Sequence, residues 1–262
     1  MALATVTVPF RRLCCLTALI WCSLAGAAEP VETTLVKLRA LDESTQGRLG
    51  VYVKNLHTGE EIAYHAERKW NLASLVKIPL AIAVLQAVEN QQLALDDKLV
   101  LQQSEFAVSD LLKRSLEDND STATDLLIHK LGVEHFNQQT QRNVGGEDLG
   151  PFTTPGQKPR NNPNSGTLRA MGTLMERLSR SELLNTKHTD MLLDHMENAS
   201  TSDKRPKTGT QDRACNLGIT NARDLSKSVV IVVCAEGFGE LEHAEKSFTA
   251  IAAILVADGR VP

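Results

Sequence analysis

Apolar positions along this chain follow two periods, and the switch between them outlines the elements. Leu35, Leu38 and Leu41 recur every three residues, which predicts a helix over Val31–Gln46. Leu49–Asn55 and Glu60–His65 are short stretches suited to strands, with His57-Thr58-Gly59 as the turn between them. A helical pattern runs from about Ser74 to Asn90. Helical spacing continues from Ser104 to Met196, broken by a Gly/Pro/Asn-rich stretch over Gly145–Gly166. Ala214–Thr220 and Ser228–Ala235 form a second strand pair around the polar loop Asn221–Lys227, and Ala244–Ala257 is a closing helix. Strands near both ends with helices between them predict one α+β domain of two lobes. The terminal segments would meet in an antiparallel sheet flanked by the terminal helices, and the middle would form an all-α lobe. No internal repeat is visible.

Composition narrows the function classes. The 262 residues are 42% hydrophobic and 23% charged, ordinary for a folded domain. Aromatics are only 4%, so the core has to be aliphatic. A net charge of −4 offers no basic surface for a nucleic acid. The first segment stands apart from the fold. Arg11 and Arg12 precede an apolar run from Leu13 to Leu24, which ends in Ala25-Gly26-Ala27-Ala28. That is the pattern of a secretory signal peptide cut after Ala27, leaving a domain over 28–262 in the periplasm or outside the cell. The run is too short to span a membrane comfortably, and no Cys at the cut offers a lipid anchor.

Three of the five cysteines lie in that leader, leaving Cys215 and Cys234. A hairpin centred on Asn221–Lys227 sets them opposite each other, so a cross-strand disulfide and two buried free thiols both fit. Two cysteines and seven scattered histidines give no metal-ligand spacing, and neither a metal nor another cofactor is expected.

Two short motifs carry chemistry. In Ser74-Leu75-Val76-Lys77 the hydroxyl and the amine sit three residues apart at a helix start and share a face. A lysine with a depressed pKa can take the serine proton, while free N–H groups at the helix start suit an oxyanion. Pro79 conflicts with the helical pattern at this point. Lys207-Thr208-Gly209-Thr210 enters the late strand pair, with a charge and a hydroxyl for a substrate carboxylate and a Gly for close backbone approach. The Thr210 and Ser74 N–H groups would together hold the oxyanion.

S-x-x-K followed by a late K-T-G resembles the serine β-lactamases of class A and their penicillin-binding relatives. Asn71–Leu85 is similar to the family's nucleophile helix, and Val229–Cys234 with Ala244–Val256 is similar to its last strand and helix, so the likeness covers about 35–257. It implies the two-lobed fold, Ser74 as acylated nucleophile, Lys77 as its proton partner, and Lys207 and Thr208 as carboxylate anchors, with Arg213 as a further candidate. Thr122-Ala123-Thr124-Asp125-Leu126-Leu127 matches the family's T-A-x-N/D-L-L helix, which puts Asn119-Asp120-Ser121 on its S-D-N motif. The relay hydroxyl is thus replaced by the Asn119 amide, with Ser121 two residues on. The family's E-x-x-L-N loop has no counterpart in Asn143–Pro163, where only Glu147 and Asp148 are acidic. Glu147 is the one candidate general base. Segment 96–110 is shorter than the family pattern and lacks its aromatic gatepost, the two Tyr being Tyr52 and Tyr64 and the nearest aromatic Phe106.

The expected function is an exported, monomeric serine hydrolase opening β-lactam amides or D-Ala-D-Ala-like substrates. A D,D-peptidase or esterase on the same scaffold is the first alternative. The second is a non-hydrolytic periplasmic protein that binds β-lactams or peptidoglycan.

Overall fold

The computed structural model describes residues 30–45, 47–153, 164–201, 213–239 and 241–262. The leader (1–27) and the Lys207–Thr210 motif lie outside the described residues. The chain begins with α1 (Val31–Ser44), β1 (Arg48–Asn55) and β2 (Glu61–Tyr64). The short strand β3 (Trp70–Asn71) leads into a 3-10 turn, Ala73–Val76, and then α2 (Lys77–Glu89). A small hairpin, β4 (Lys98–Leu101) and β5 (Ser104–Ala107), precedes α3 (Val108–Leu116), α4 (Ser121–Leu131) and α5 (Val133–Val144). After β6 (Ser165–Gly166) come α6 (Leu168–Ser179), α7 (Thr186–Thr201), β7 (Arg213–Thr220), β8 (Val229–Glu236) and α8 (Leu241–Ala257).

The main sheet has the order β2-β1-β8-β7, antiparallel throughout, so the two ends of the chain meet in it. Side chains alternate across a strand, and β8 uses both faces. Val229, Val233 and Ala235 join Leu49, Val51 and Val53 of β1 under α1 and α8. Val230, Val232 and Cys234 face the helical lobe, where α6 packs on β1 and β8. Gly172 of α6 permits that packing: a Cβ there would come within 2.1 Å of the Tyr52 ring. At Gly50, a Cβ would lie 2.5 Å from the Trp70 ring. Two hydrophobic clusters result, one on each side of the sheet.

The helical lobe is organised around α2, in which every residue from Lys77 to Leu85 is buried. A helix that is apolar all round belongs in the middle of a core. The shortened segment 96–110 forms the β4–β5 hairpin, where helical periodicity predicts helix from Ser104. Its two-residue turn, Gln102-Gln103, has positive φ at both positions (49° and 69°), as a type I′ turn requires.

Candidate active site

The segment Trp70–Lys77 is fixed from three sides before it reaches its hydroxyl. Trp70 is fully buried, pairs with Gly166, and donates its indole N–H to the His65 carbonyl at 3.0 Å. The Asn71 N–H donates to Glu236 of β8, whose carboxylate also accepts from Arg68. The Leu72 N–H donates to the Asn164 carbonyl at 2.9 Å. The Asn71 side chain then accepts from the Ala73 N–H at 3.1 Å. Ala73 has φ 47°, a left-handed conformation that costs a non-glycine residue about 1–3 kcal/mol and that surrounding contacts have to impose.

Ser74 is the second residue of the 3-10 turn and is exposed. Its hydroxyl makes no hydrogen bond to a described residue. In a 3-10 turn, side chains three apart eclipse, so Lys77, at the junction with α2, lies on the face of Ser74. The Lys77 N–H donates to the Ser74 carbonyl across that junction. Pro79 explains the junction: it falls in the first turn of α2, where a missing N–H is tolerated, so the conflict read from the sequence is absent.

Lys77 is only 7% exposed, and burial pushes its ammonium down to about 8, against the opposing pull of Asp120 and Asp125. Its amine donates to the Asn119 side-chain oxygen at 2.5 Å. Asn119 adopts φ 56°, which asparagine tolerates better than most residues, and so turns its amide toward α2. Asp120 follows as the N-cap of α4, accepting from the Thr122 and Ala123 N–H groups at 2.8 and 3.1 Å and from Arg114 at 2.8 Å. These bonds hold its carboxyl below the usual range despite the opposing effect of desolvation. The turn is pinned further by Glu117, which accepts from His195 of α7 at 2.7 Å.

The structure therefore joins the Lys77 amine to Asn119 and ties Lys77 to Ser74 through the backbone, while the Ser74 hydroxyl makes no hydrogen bond to either side chain. Ser121, the first residue of α4, is exposed and makes no hydrogen bond to a described residue. Glu147 is exposed just past the end of α5, bordering a shallow groove with Gln138, Gln141 and Arg142; its backbone carbonyl, not its carboxylate, accepts from Lys69. The Glu147 carboxylate makes no hydrogen bond or ion pair to Ser74, Lys77 or Asn119. Lys207, Thr208, Gly209 and Thr210 lie outside the described residues, and Arg213 opens β7 with its backbone paired to Glu236. The continuation of that strand does reach the site: β7 packs on the 3-10 turn, with the Cys215 sulfur 3.3 Å from the Asn71 carbonyl oxygen.

Cys215 and Cys234 face each other in the β7–β8 register and are joined in a disulfide, the first of the two alternatives that the sequence left open. Among the described residues no group of His, Cys, Asp or Glu side chains could hold a metal ion. Three residues that bear on the site carried no assigned role in the sequence. Glu236 and Asn164 act through long-range backbone contacts that no local pattern announces. Asp125 lay inside the recognised T-A-x-N/D-L-L match and could have been singled out as an ionisable residue on a helix facing α2.

A model of the beta-lactamase enzyme family matches residues 34–257. Beta-lactamase ROB-1 of Haemophilus influenzae is 29% identical over 121 residues, 41% of this chain and 40% of that protein. A beta-lactamase of Streptomyces fradiae is 25% identical over 196 residues, 66% of this chain and 64% of its own length. Each alignment thus spans less than two thirds of the curated relative. Among solved structures, the class A beta-lactamase of Mycobacterium abscessus superposes with a TM-score of 0.73 at 21% identity, covering 86% of this chain and 99% of that one. The beta-lactamase of Desulfarculus baarsii gives 0.76 at 18% identity, covering 87% and 98%. At these identities the superpositions establish a shared two-lobed fold. The family match runs from the first helix to the last, and on that ground the chain belongs to the beta-lactamase enzyme family.

Proposed function

We propose that this protein is an exported serine hydrolase that opens β-lactam amides through an acyl-enzyme on Ser74. One observation carries the reading: an exposed hydroxyl one helical turn from a buried lysine whose ammonium is pushed down to about 8. At neutral pH such an amine is unprotonated in roughly a tenth of molecules, against about one in several thousand for an ordinary lysine. Neutral Lys77 removes the Ser74 proton as the oxygen attacks the lactam carbonyl. The negative charge that forms on the carbonyl oxygen is held by the Ser74 and Thr210 N–H groups, and no described residue accepts from the former. The C–N bond breaks and the ring nitrogen takes up a proton. Asn119 cannot pass a proton on as a hydroxyl would, so the Lys77 ammonium is the group that returns it.

Lys207 and Thr208 anchor the substrate carboxylate, Gly209 lets the ligand approach the strand, and Arg213 adds positive charge. Export rests on the leader at 1–27. D-Ala-D-Ala peptides and simple esters present the same carbonyl chemistry and are the alternative substrates. A second reading is supported by a specific feature: the only acids of the Asn143–Pro163 loop, Glu147 and Asp148, are exposed, and neither carboxylate hydrogen-bonds to Ser74, Lys77 or Asn119. On that reading the protein traps β-lactams or peptidoglycan stems as esters without releasing them. Intact-protein mass spectrometry during incubation with benzylpenicillin tests the proposal. An adduct that forms and then clears supports a hydrolase, a persistent adduct supports the trap, and no adduct on folded protein overturns both.

A further inference from the structure

The acyl-enzyme reading makes acylation depend on where Asn119 meets the Lys77 amine, so the contacts that hold Asn119 matter to the reaction. Asn119 sits at φ 56° in the α3–α4 turn, a conformation that surrounding contacts have to maintain. Several bonds tie this turn to itself. Arg114 pairs with the Asp120 carboxylate, the Asp120 N–H donates to the Arg114 carbonyl at 3.0 Å, and the Ser115 and Thr124 hydroxyls lie 2.8 Å apart. All of these stay within α3 and α4. They fix the shape of the turn, whereas its place against α2 depends on contacts beyond that pair of helices.

Glu117 supplies such a contact. It closes α3 two residues before Asn119, and α7 packs on that helix. The Glu117 carboxylate accepts from His195 Nδ1 at 2.7 Å and from the Asn198 amide at 3.1 Å, both on α7 and the first of them 78 positions away. Both side chains of the Glu117–His195 pair are largely covered, 15% and 18% exposed. Desolvation pushes the Glu117 carboxyl up, but the bonds from His195 and Asn198 outweigh it and hold the group below its usual range. It therefore stays an ionised acceptor, and bonds to an ionised group are the strong ones. α7 is itself anchored elsewhere. Near its start His188 meets Glu89 of α2 at 2.8 Å, and further along Arg223, from the turn between β7 and β8, pairs with Asp190 and Asp194. The helix thus braces the Asn119 turn against both α2 and the sheet. We propose that Glu117 and His195 are positioning residues for acylation, whose bond holds the α3–α4 turn so that the Asn119 oxygen meets the Lys77 amine. The inference rests on the acyl-enzyme reading. The pair transfers no proton and acts only through the place of Asn119.

Single-turnover acylation by benzylpenicillin, followed by rapid-quench mass spectrometry, tests this by separating the maximal rate from the apparent affinity. At pH 9, above the Lys77 value of about 8, the amine is mostly neutral in every variant and the rate reports geometry. Thermal melts set a temperature at which each variant is fully folded. His195→Ala is expected to lower the maximal rate about tenfold, with the apparent affinity within about twofold of wild type. His195→Asn, whose amide can reach the place of Nδ1, should recover most of that loss, which a general packing role would not explain. Asn119→Ala slows acylation by itself, and adding His195→Ala to it should cost no more than about a further twofold. Glu117→Ala should match His195→Ala, and the two combined should be about as slow as either alone. If Glu117→Ala fails to fold, the His195 variants carry the same test. Acylation unchanged in folded His195→Ala, a loss that His195→Asn does not recover, or losses that multiply in the Asn119→Ala background overturns the inference and leaves Ser74 acylation standing. If folded wild type forms no ester, the acyl-enzyme reading fails and this inference with it.

Discussion

Two stretches of chain bear on the Ser74 turn, and they bring different things to it. The α3–α4 turn, residues 117–125, brings polar and charged side chains: Asn119 on the Lys77 amine, Asp120 closed on the α4 N-terminus and Arg114, and Asp125 with no hydrogen bond to a described residue. The described part of the loop that ends in β6 brings backbone to the turn. Asn164 offers a carbonyl to Leu72, and Ser165 and Gly166 pair with Asn71 and Trp70. A Cβ at Gly166 would sit 2.4 Å from Leu149, so this backbone is packed tightly, while its two acids, Glu147 and Asp148, are exposed. Formation and release of an acyl ester are separate chemical steps. On the proposed mechanism the first stretch serves proton transfer at Ser74, and the second supports the fold of the turn.

Substitutions can break or sharpen that contrast. The largest effect is expected at the nucleophile: Ser74→Ala leaves a folded protein with no covalent penicillin adduct by mass spectrometry, and hydrolysis that persisted would break the assignment outright. Next comes Lys77→Ala, for which rapid-quench acylation at pH 7 should fall by about 10²–10⁴, the usual worth of a positioned base. A fall of less than tenfold would move the base elsewhere. Replacing both Cys215 and Cys234 by Ser should cost about 3 kcal/mol, from the entropy of a loop closed over 19 residues. That loss would appear as a melting temperature lower by about 6–12 °C. Acylation should fall as well, because β7 abuts Asn71. The smallest effect belongs to the loop: Glu147→Gln should leave acylation and release within twofold of wild type, and a selective loss of release would make the loop catalytic after all.

The two-lobed fold was legible because its periods are strong. Val229–Ala235 carries apolar residues on both faces and had to be an inner strand, and Cys215 and Cys234 fell opposite each other by register alone. The β4–β5 hairpin was not legible. Lys98, Ser104 and Glu105 interrupt any alternation, and its turn uses two glutamines at positive φ where Asn-Gly would have signalled it. The Ser74–Lys77 face followed from spacing, and Asn119 from the helix match beside it. The left-handed Ala73 could not be read, since alanine advertises no such conformation; Asn71, Asn164 and Glu236 impose it across gaps of up to 165 residues. Asp125 was visible in the sequence as a residue of the recognised helix, but its lack of a hydrogen bond among the described residues depends on the packing of neighbouring helices.

The most direct test is where the acyl group sits. After seconds of exposure to benzylpenicillin, the protein would be quenched in acid, digested with trypsin and sequenced by tandem mass spectrometry. The account predicts that the whole penicillin mass is carried by the Trp70–Lys77 peptide, with fragments assigning it to Ser74. Acylation of any other residue, or unmodified Trp70–Lys77 peptide alongside steady hydrolysis, would contradict it.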